Sequence, residues 1–315
     1  MTFLLKHAYE QRVQLDKQQE QEIKELYEEL IQIVEKNIST LSTDENVSSV
    51  FKEFQLQRIK IGLQRSLETV GTNVNGIVRQ SMTTTSQQMV DASKNFLEEV
   101  GMPKILIKPA YQFVPTEVVE RVASGQLYQG NWSLSKAIWA DVSTKQNDIN
   151  KIIAKGIALN KSAYDIAKDL EAYVNPNAKK DWNWSQVYPG SAKKVDYSAQ
   201  RLARTAVTHA YQQAFDECVK PNPFVEAVQW NNAHSGRVCP LCVELAETDQ
   251  YGLGEGIFPK GEEPLDHPNG MCYLTAVMVK SLDEVASEIH SWIWGASNPA
   301  LDEYAKFLNP EFELE

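Results

Sequence analysis

The segment HSGRVCPLCVELAETDQYGLGEGIFPKGEEPLDHPNGMC, from His234 to Cys272, holds three of the chain's four cysteines and two of its five histidines. Cys239 and Cys242 form a CxxC pair, and His267 and Cys272 follow as a second pair with four residues between them. Three thiols and one imidazole, presented as a knuckle and a distant second pair, are the donor set that tetrahedral structural zinc prefers. Spacing and ligand softness therefore predict one structural zinc ion on Cys239, Cys242, His267 and Cys272. A segment poor in large apolar side chains also needs a staple, and structural zinc contributes roughly 10–16 kcal/mol in small peptides.

Other chemistries compete for the same residues. A thioredoxin-type redox pair belongs in a βαβ setting, which the flanking sequence lacks. A zinc deaminase needs HxE ahead of its cysteines, where this chain has HSG at His234. Cys–His nucleophilic catalysis and plain burial of thiols without metal stay open. A zinc-dependent hydrolase, nuclease or peptidase, would need an open metal position and a general base. Asp266 and Glu263, close to His267, are the candidate bases, but a filled Cys3His set leaves no open position. Cys218, at a helix end, reads as a small apolar residue, and His209 as an ordinary histidine.

The 315 residues are enough for two or more domains with their own cores. No apolar run approaches the ~18 residues of a membrane span, and the N-terminus reads as no signal peptide, so a reducing compartment is expected. Four cysteines in such a chain argue for metal or burial over a disulfide framework. Charge is unevenly spread: residues 1–100 carry 11 basic and 15 acidic side chains, 101–220 carry 16 and 11, and 221–315 carry 4 and 16. Only the middle segment attracts phosphate, and weakly. Its candidate contacts are Lys179, Lys180, Lys193, Lys194, Arg201 and Arg204, flanking a loop with Trp182 and Trp184. No base-reading motif accompanies them, so any DNA binding is expected to be non-specific and salt-sensitive.

The elements that must position these residues read as mainly α. LDKQQEQEIKELYEELIQIVEKNISTL, from Leu15, carries an apolar stripe at helical spacing. A stripe so narrow needs a partner, and Ile23, Leu26, Leu30 and Val34 are expected to dock on another protein. A second helix continues from Asn46 to Val70, with a break at VGTNVNG (70–76), and a third runs from Thr84 to GMP at 101–103. Residues 1–103 are thus expected as an extended helical arm, and 104–223 as an α-helical middle domain. There Ser162 and Asp165 form a capping box. Residues 224–315 are expected as a small, zinc-stapled α+β domain. FVEAVQWNNA and CYLTAVMV read as its strands, and one or two amphipathic helices close it.

HSGRVCPLC…FPKGEEPLDHPNGMC resembles the C-terminal motif of the tailed-phage minor head proteins, the head-morphogenesis family that includes the phage Mu F-like proteins. LSKAIWADVSTKQNDINKIIAKGIALNKSAYDIAKDL and the arginine helix RLARTAVTHAYQQA are similar to further stretches of that family, so the resemblance covers about residues 130–280. It departs at the family's HPNCRC ending, where this chain has Gly270 and Met271 before the matching Cys272, and at Ala206 and Val207 in the arginine helix. The resemblance implies a non-enzymatic virion component inside the phage head, present in the host cytoplasm during assembly. Its implied partner is the portal protein, with scaffold or major capsid protein and viral DNA as further contacts. Head morphogenesis and the packaging or ejection of DNA are the implied roles.

Overall fold

A computed structural model describes residues 2–39, 48–128, 130–159, 161–174, 196–233 and 238–312. Among the described residues are ten helices and one three-stranded sheet. The helices are α1 (Thr2–Ser39), α2 (Ser49–Glu99), α3 (Lys104–Ile107), α4 (Val114–Ser124), α5 (Leu134–Ala158), α6 (Ala163–Val174), α7 (Tyr197–Val219), α8 (Pro240–Glu247), α9 (Leu282–Ile293) and α10 (Pro299–Leu308). The strands are β1 (Ala227–Asn231), β2 (Ile257–Pro259) and β3 (Tyr273–Val277), antiparallel in the order β2-β1-β3. No described helix is long and apolar enough to cross a membrane.

The chain divides into two compact units, and neither follows the expected linear partition at 103 and 223. One unit joins Met1–Asp16, Arg79–Leu127 and Arg204–Glu315; the other joins Lys17–Val78 and Tyr128–Ala203. Residues 1–103 are therefore shared between both rather than forming a separate arm.

In the second unit the stripe of α1 is covered by the chain itself. Ile23, Leu30 and Val34 are buried to 1% exposure or less, and only Leu26 is half-buried. The expected docking stripe has thus found its partner internally. Burial of that stripe together with Leu63 and Leu67 of α2 and Ile149 and Ile152 of α5 builds the unit's core. Lys145 of α5 is buried too, its ammonium donating to the Tyr27 hydroxyl at 2.8 Å and to Asp141. Ser162 caps α6 as expected, its hydroxyl accepting from the Asp165 N–H at 3.1 Å.

The break expected at residues 70–76 is absent: α2 runs unbroken for 51 residues. Tertiary packing overrides the glycine signal there. A Cβ at Gly71 would stand 2.9 Å from Cγ2 of Val142 and 3.5 Å from Cγ2 of Ile138, so the missing side chain lets α5 approach α2 closely. Gly76 is exposed, with nothing within 4 Å of such a Cβ. Helix propensity alone favours alanine at both sites by about 1 kcal/mol. We expect Gly76→Ala to stabilise by up to about that amount, and Gly71→Ala to lose about 1–3 kcal/mol to overpacking. Urea denaturation of the two variants checks the opposite signs.

Candidate metal centre

All four predicted ligands lie in the first unit, and the strand register explains how two of them meet. Asn231 ends β1 and pairs with Tyr273, the first residue of β3. The chain leaving β1 toward Cys239 therefore starts beside the chain arriving through Cys272. Pro240 opens α8, and Cys239 caps it, its sulfur accepting from the Cys242 N–H at 3.4 Å. The CxxC is thus the first turn of a helix, which faces both sulfurs the same way.

Two overlapping groups of donor atoms result. The Sγ atoms of Cys239 and Cys242 and a ring nitrogen of His267 lie within 4.8 Å of one another, as do Cys242 Sγ, Cys272 Sγ and a carboxylate oxygen of Asp266. Cys239 Sγ and His267 Nε2 are 3.2 Å apart. Donor atoms around tetrahedral zinc stand about 3.3–3.8 Å apart, by the bond lengths of such sites. The cluster is close to that scale, and its four predicted ligands could hold a metal ion. All four cysteines are free thiols.

The electrostatics divides the cluster. Hydrogen bonding from the Cys242 main chain and the neighbouring His267 hold the Cys239 thiol below its ordinary value. Burial lowers the His267 imidazole, but the Pro268 carbonyl, the Asp266 charge and Cys239 outweigh it and leave the ring above its ordinary value. Burial pushes the thiols of Cys242 and Cys272 up, helped by Asp266. A metal ion would displace protons from those two.

Asp266 is the organising residue that sequence reasoning treated only as a spare base. Its side chain is fully buried. Oδ1 accepts from the His267 N–H at 2.8 Å and Oδ2 from the Cys272 N–H at 3.0 Å, so one carboxylate spans the turn between two ligands. Within that turn the Gly270 N–H donates to the His267 carbonyl at 2.9 Å, with Pro268 second and Asn269 third at φ 68°. Proline then a left-handed asparagine is the chemistry of a type II turn. Gly270 leaves the space that the carboxylate fills: a Cβ there would lie 2.2 Å from both Asp266 oxygens. A side chain at this position is therefore excluded sterically.

Helix α7 is the platform under the turn. Thr205 Oγ1 accepts from the Asn269 N–H at 2.8 Å, Thr208 donates to the Gly270 carbonyl at 3.0 Å, and Gln212 accepts from the Asp266 N–H at 2.9 Å. His209 Nε2 lies 2.8 Å from the Asp266 carbonyl, and burial keeps that ring below its ordinary value. These residues recur at three- and four-residue steps along one face, a polar stripe in RLARTAVTHAYQQA that would have marked them.

Most of the basic patch falls outside the described residues. Lys179, Lys180, Lys193 and Lys194, with Trp182, Trp184 and His234, lie outside the described residues. Arg201 is exposed on α7, whereas Arg204 donates to Asn269 Oδ1 at 2.7 Å. Arg204 serves the turn, because its place on the polar face of α7 points it there. Cys218 is buried, its thiol pushed up to about 12 by burial, and shows no tie to the cluster, as expected of a small apolar residue. Compared with protein families, curated proteins and solved structures, the chain matches none.

Substituting Gly270 tests the centre. Gly270→Ala should destabilise the chain by about 1–3 kcal/mol, the overpacking range, read as a lowered melting temperature. An unchanged melt would mean that Asp266 can leave the turn without cost.

Proposed function

We propose that this chain is a structural minor head protein of a tailed bacteriophage, assembled with the portal, whose first unit is stapled by one zinc ion on Cys239, Cys242, His267 and Cys272. The observation that carries the reading is the meeting of the two most distinctive stretches of the family resemblance. Five residues of the arginine helix, Arg204, Thr205, Thr208, His209 and Gln212, hold the turn of the DHPNGMC ending. Motifs far apart in sequence serve one site, which supports reading them as one inherited device.

The role assigned to the zinc is structural. Three thiolates and an imidazole fill a tetrahedron, whereas a hydrolytic zinc keeps a position for water. The bases a hydrolase would recruit are engaged elsewhere: Asp266 accepts from two main-chain N–H groups, and Glu263 accepts from the Gly261 N–H at 2.7 Å. For partner docking, the side chains that remain exposed replace the buried stripe of α1. Phe51 and Phe54, at 47% and 57% exposure, lie one turn apart on α2 and are assigned that role.

Protein purified without chelator should contain about one zinc per chain, by the four-ligand rule, and Cys242→Ser should contain far less. Affinity should fall as pH drops, because protons reclaim the raised thiols of Cys242 and Cys272. Copurification with the portal protein during head assembly tests the wider role. Phe51→Asp with Phe54→Asp should abolish it while leaving the helical circular dichroism signal intact. Failure of the unaltered chain to copurify with portal or procapsid would overturn the assignment.

A further inference from the structure

Arg12 lies about 230 residues before the CxxC in sequence, yet it is fully buried against the metal centre. Its guanidinium donates to the main-chain carbonyls of Met271, at 2.9 Å, and of the ligand Cys272, at 3.3 Å. Its Cζ stands 5.2 Å from the ring centroid of Tyr9 and 4.8 Å from that of Tyr211. Tyr9 in turn stacks on Tyr273, the residue after that ligand, at 4.0 Å between centroids. A buried guanidinium loses its hydration and carries a desolvation cost of several kcal/mol that compensating contacts must meet. Here two carbonyls and two ring faces supply part of that compensation.

The geometry points to Arg12 as a positioning residue of the metal centre, which fixes the Cys272 backbone. It follows that metal binding and docking of the first turns of α1 are coupled. This inference rests on the metal reading above. The two carbonyls held by the guanidinium fork fix the main chain from which the Cys272 thiol projects, the kind of support that outer contacts give to metal ligands. By reciprocity, whatever Arg12 contributes to metal affinity, the metal returns to the docking of residues 5–16.

The test uses the full chain with zinc or cobalt as the only added ligand. Chelator competition measures zinc affinity, and the absorption of the cobalt form reports the geometry at sulfur. Arg12→Met keeps the stem and removes the fork; Arg12→Lys replaces the fork with a single ammonium donor. Arg12→Met should weaken zinc binding about 10–100-fold, the usual effect of losing an outer contact, and shift the cobalt spectrum. Arg12→Lys should lose less. Equal affinity and an unchanged spectrum in Arg12→Met would overturn the proposal, even if the melting temperature fell, because the residue would then be merely structural. Should Arg12→Met not fold, Arg12→Lys decides by the same two readouts. If the unaltered chain binds neither metal, the metal reading fails and this inference fails with it. Normal metal binding in both variants removes only the role of Arg12.

Discussion

A carboxylate enclosed by protein has to find hydrogen-bond donors that stay in place, and at Asp266 that requirement organises the first unit. The donors are the main-chain N–H groups of His267 and Cys272, so the charge is stabilised only when the turn between them closes. Closing it requires Pro268 and a left-handed Asn269, and it leaves no room for a side chain at residue 270. The same closure sets the separation of two metal-ligand candidates. The amide and carbonyl of Asp266 are then taken by Gln212 and His209, which fixes the turn to α7.

That arrangement explains why the centre draws on three distant parts of the chain. Helix α8 supplies CxxC as its own first turn, a local arrangement. The 266–272 turn is also local, but a free turn would be too mobile to hold two ligands. Helix α7 from one side and Arg12 of α1 from another remove that mobility through main-chain contacts. Those contacts constrain position without competing for the side chains that would bind metal. The sheet contributes by register, since the pairing of Asn231 with Tyr273 brings the two ligand-bearing segments together at one end.

The second unit obeys simpler physics. Its helices bury apolar stripes against one another, and its few interior charges are paired, as Lys145 is with Asp141. A stripe that looks unpartnered on one helix is ordinary core once three helices assemble. Phe51 and Phe54 at the start of α2 stay exposed after that assembly, which is why the docking role is proposed for them.

The donor types, the spacing of the two ligand pairs, the helical character of most of the chain and two of the three strands were legible in the sequence, because each rests on local periodicity or on side-chain chemistry. β2 was missed: at three residues it is too short to show alternation. Gly71 was misread as a break because its signal depends on Val142, 71 positions later, which no local pattern contains. The stripe of Ile23, Leu30 and Val34 was rightly seen as apolar, but amphipathicity says that a face needs covering and not what covers it. Asp266, Arg12 and the polar face of α7 acquire their roles only when the fold brings residues 12, 204–212 and 266–272 together. A buried polar group is recognised by its partners, and those partners are chosen by tertiary structure.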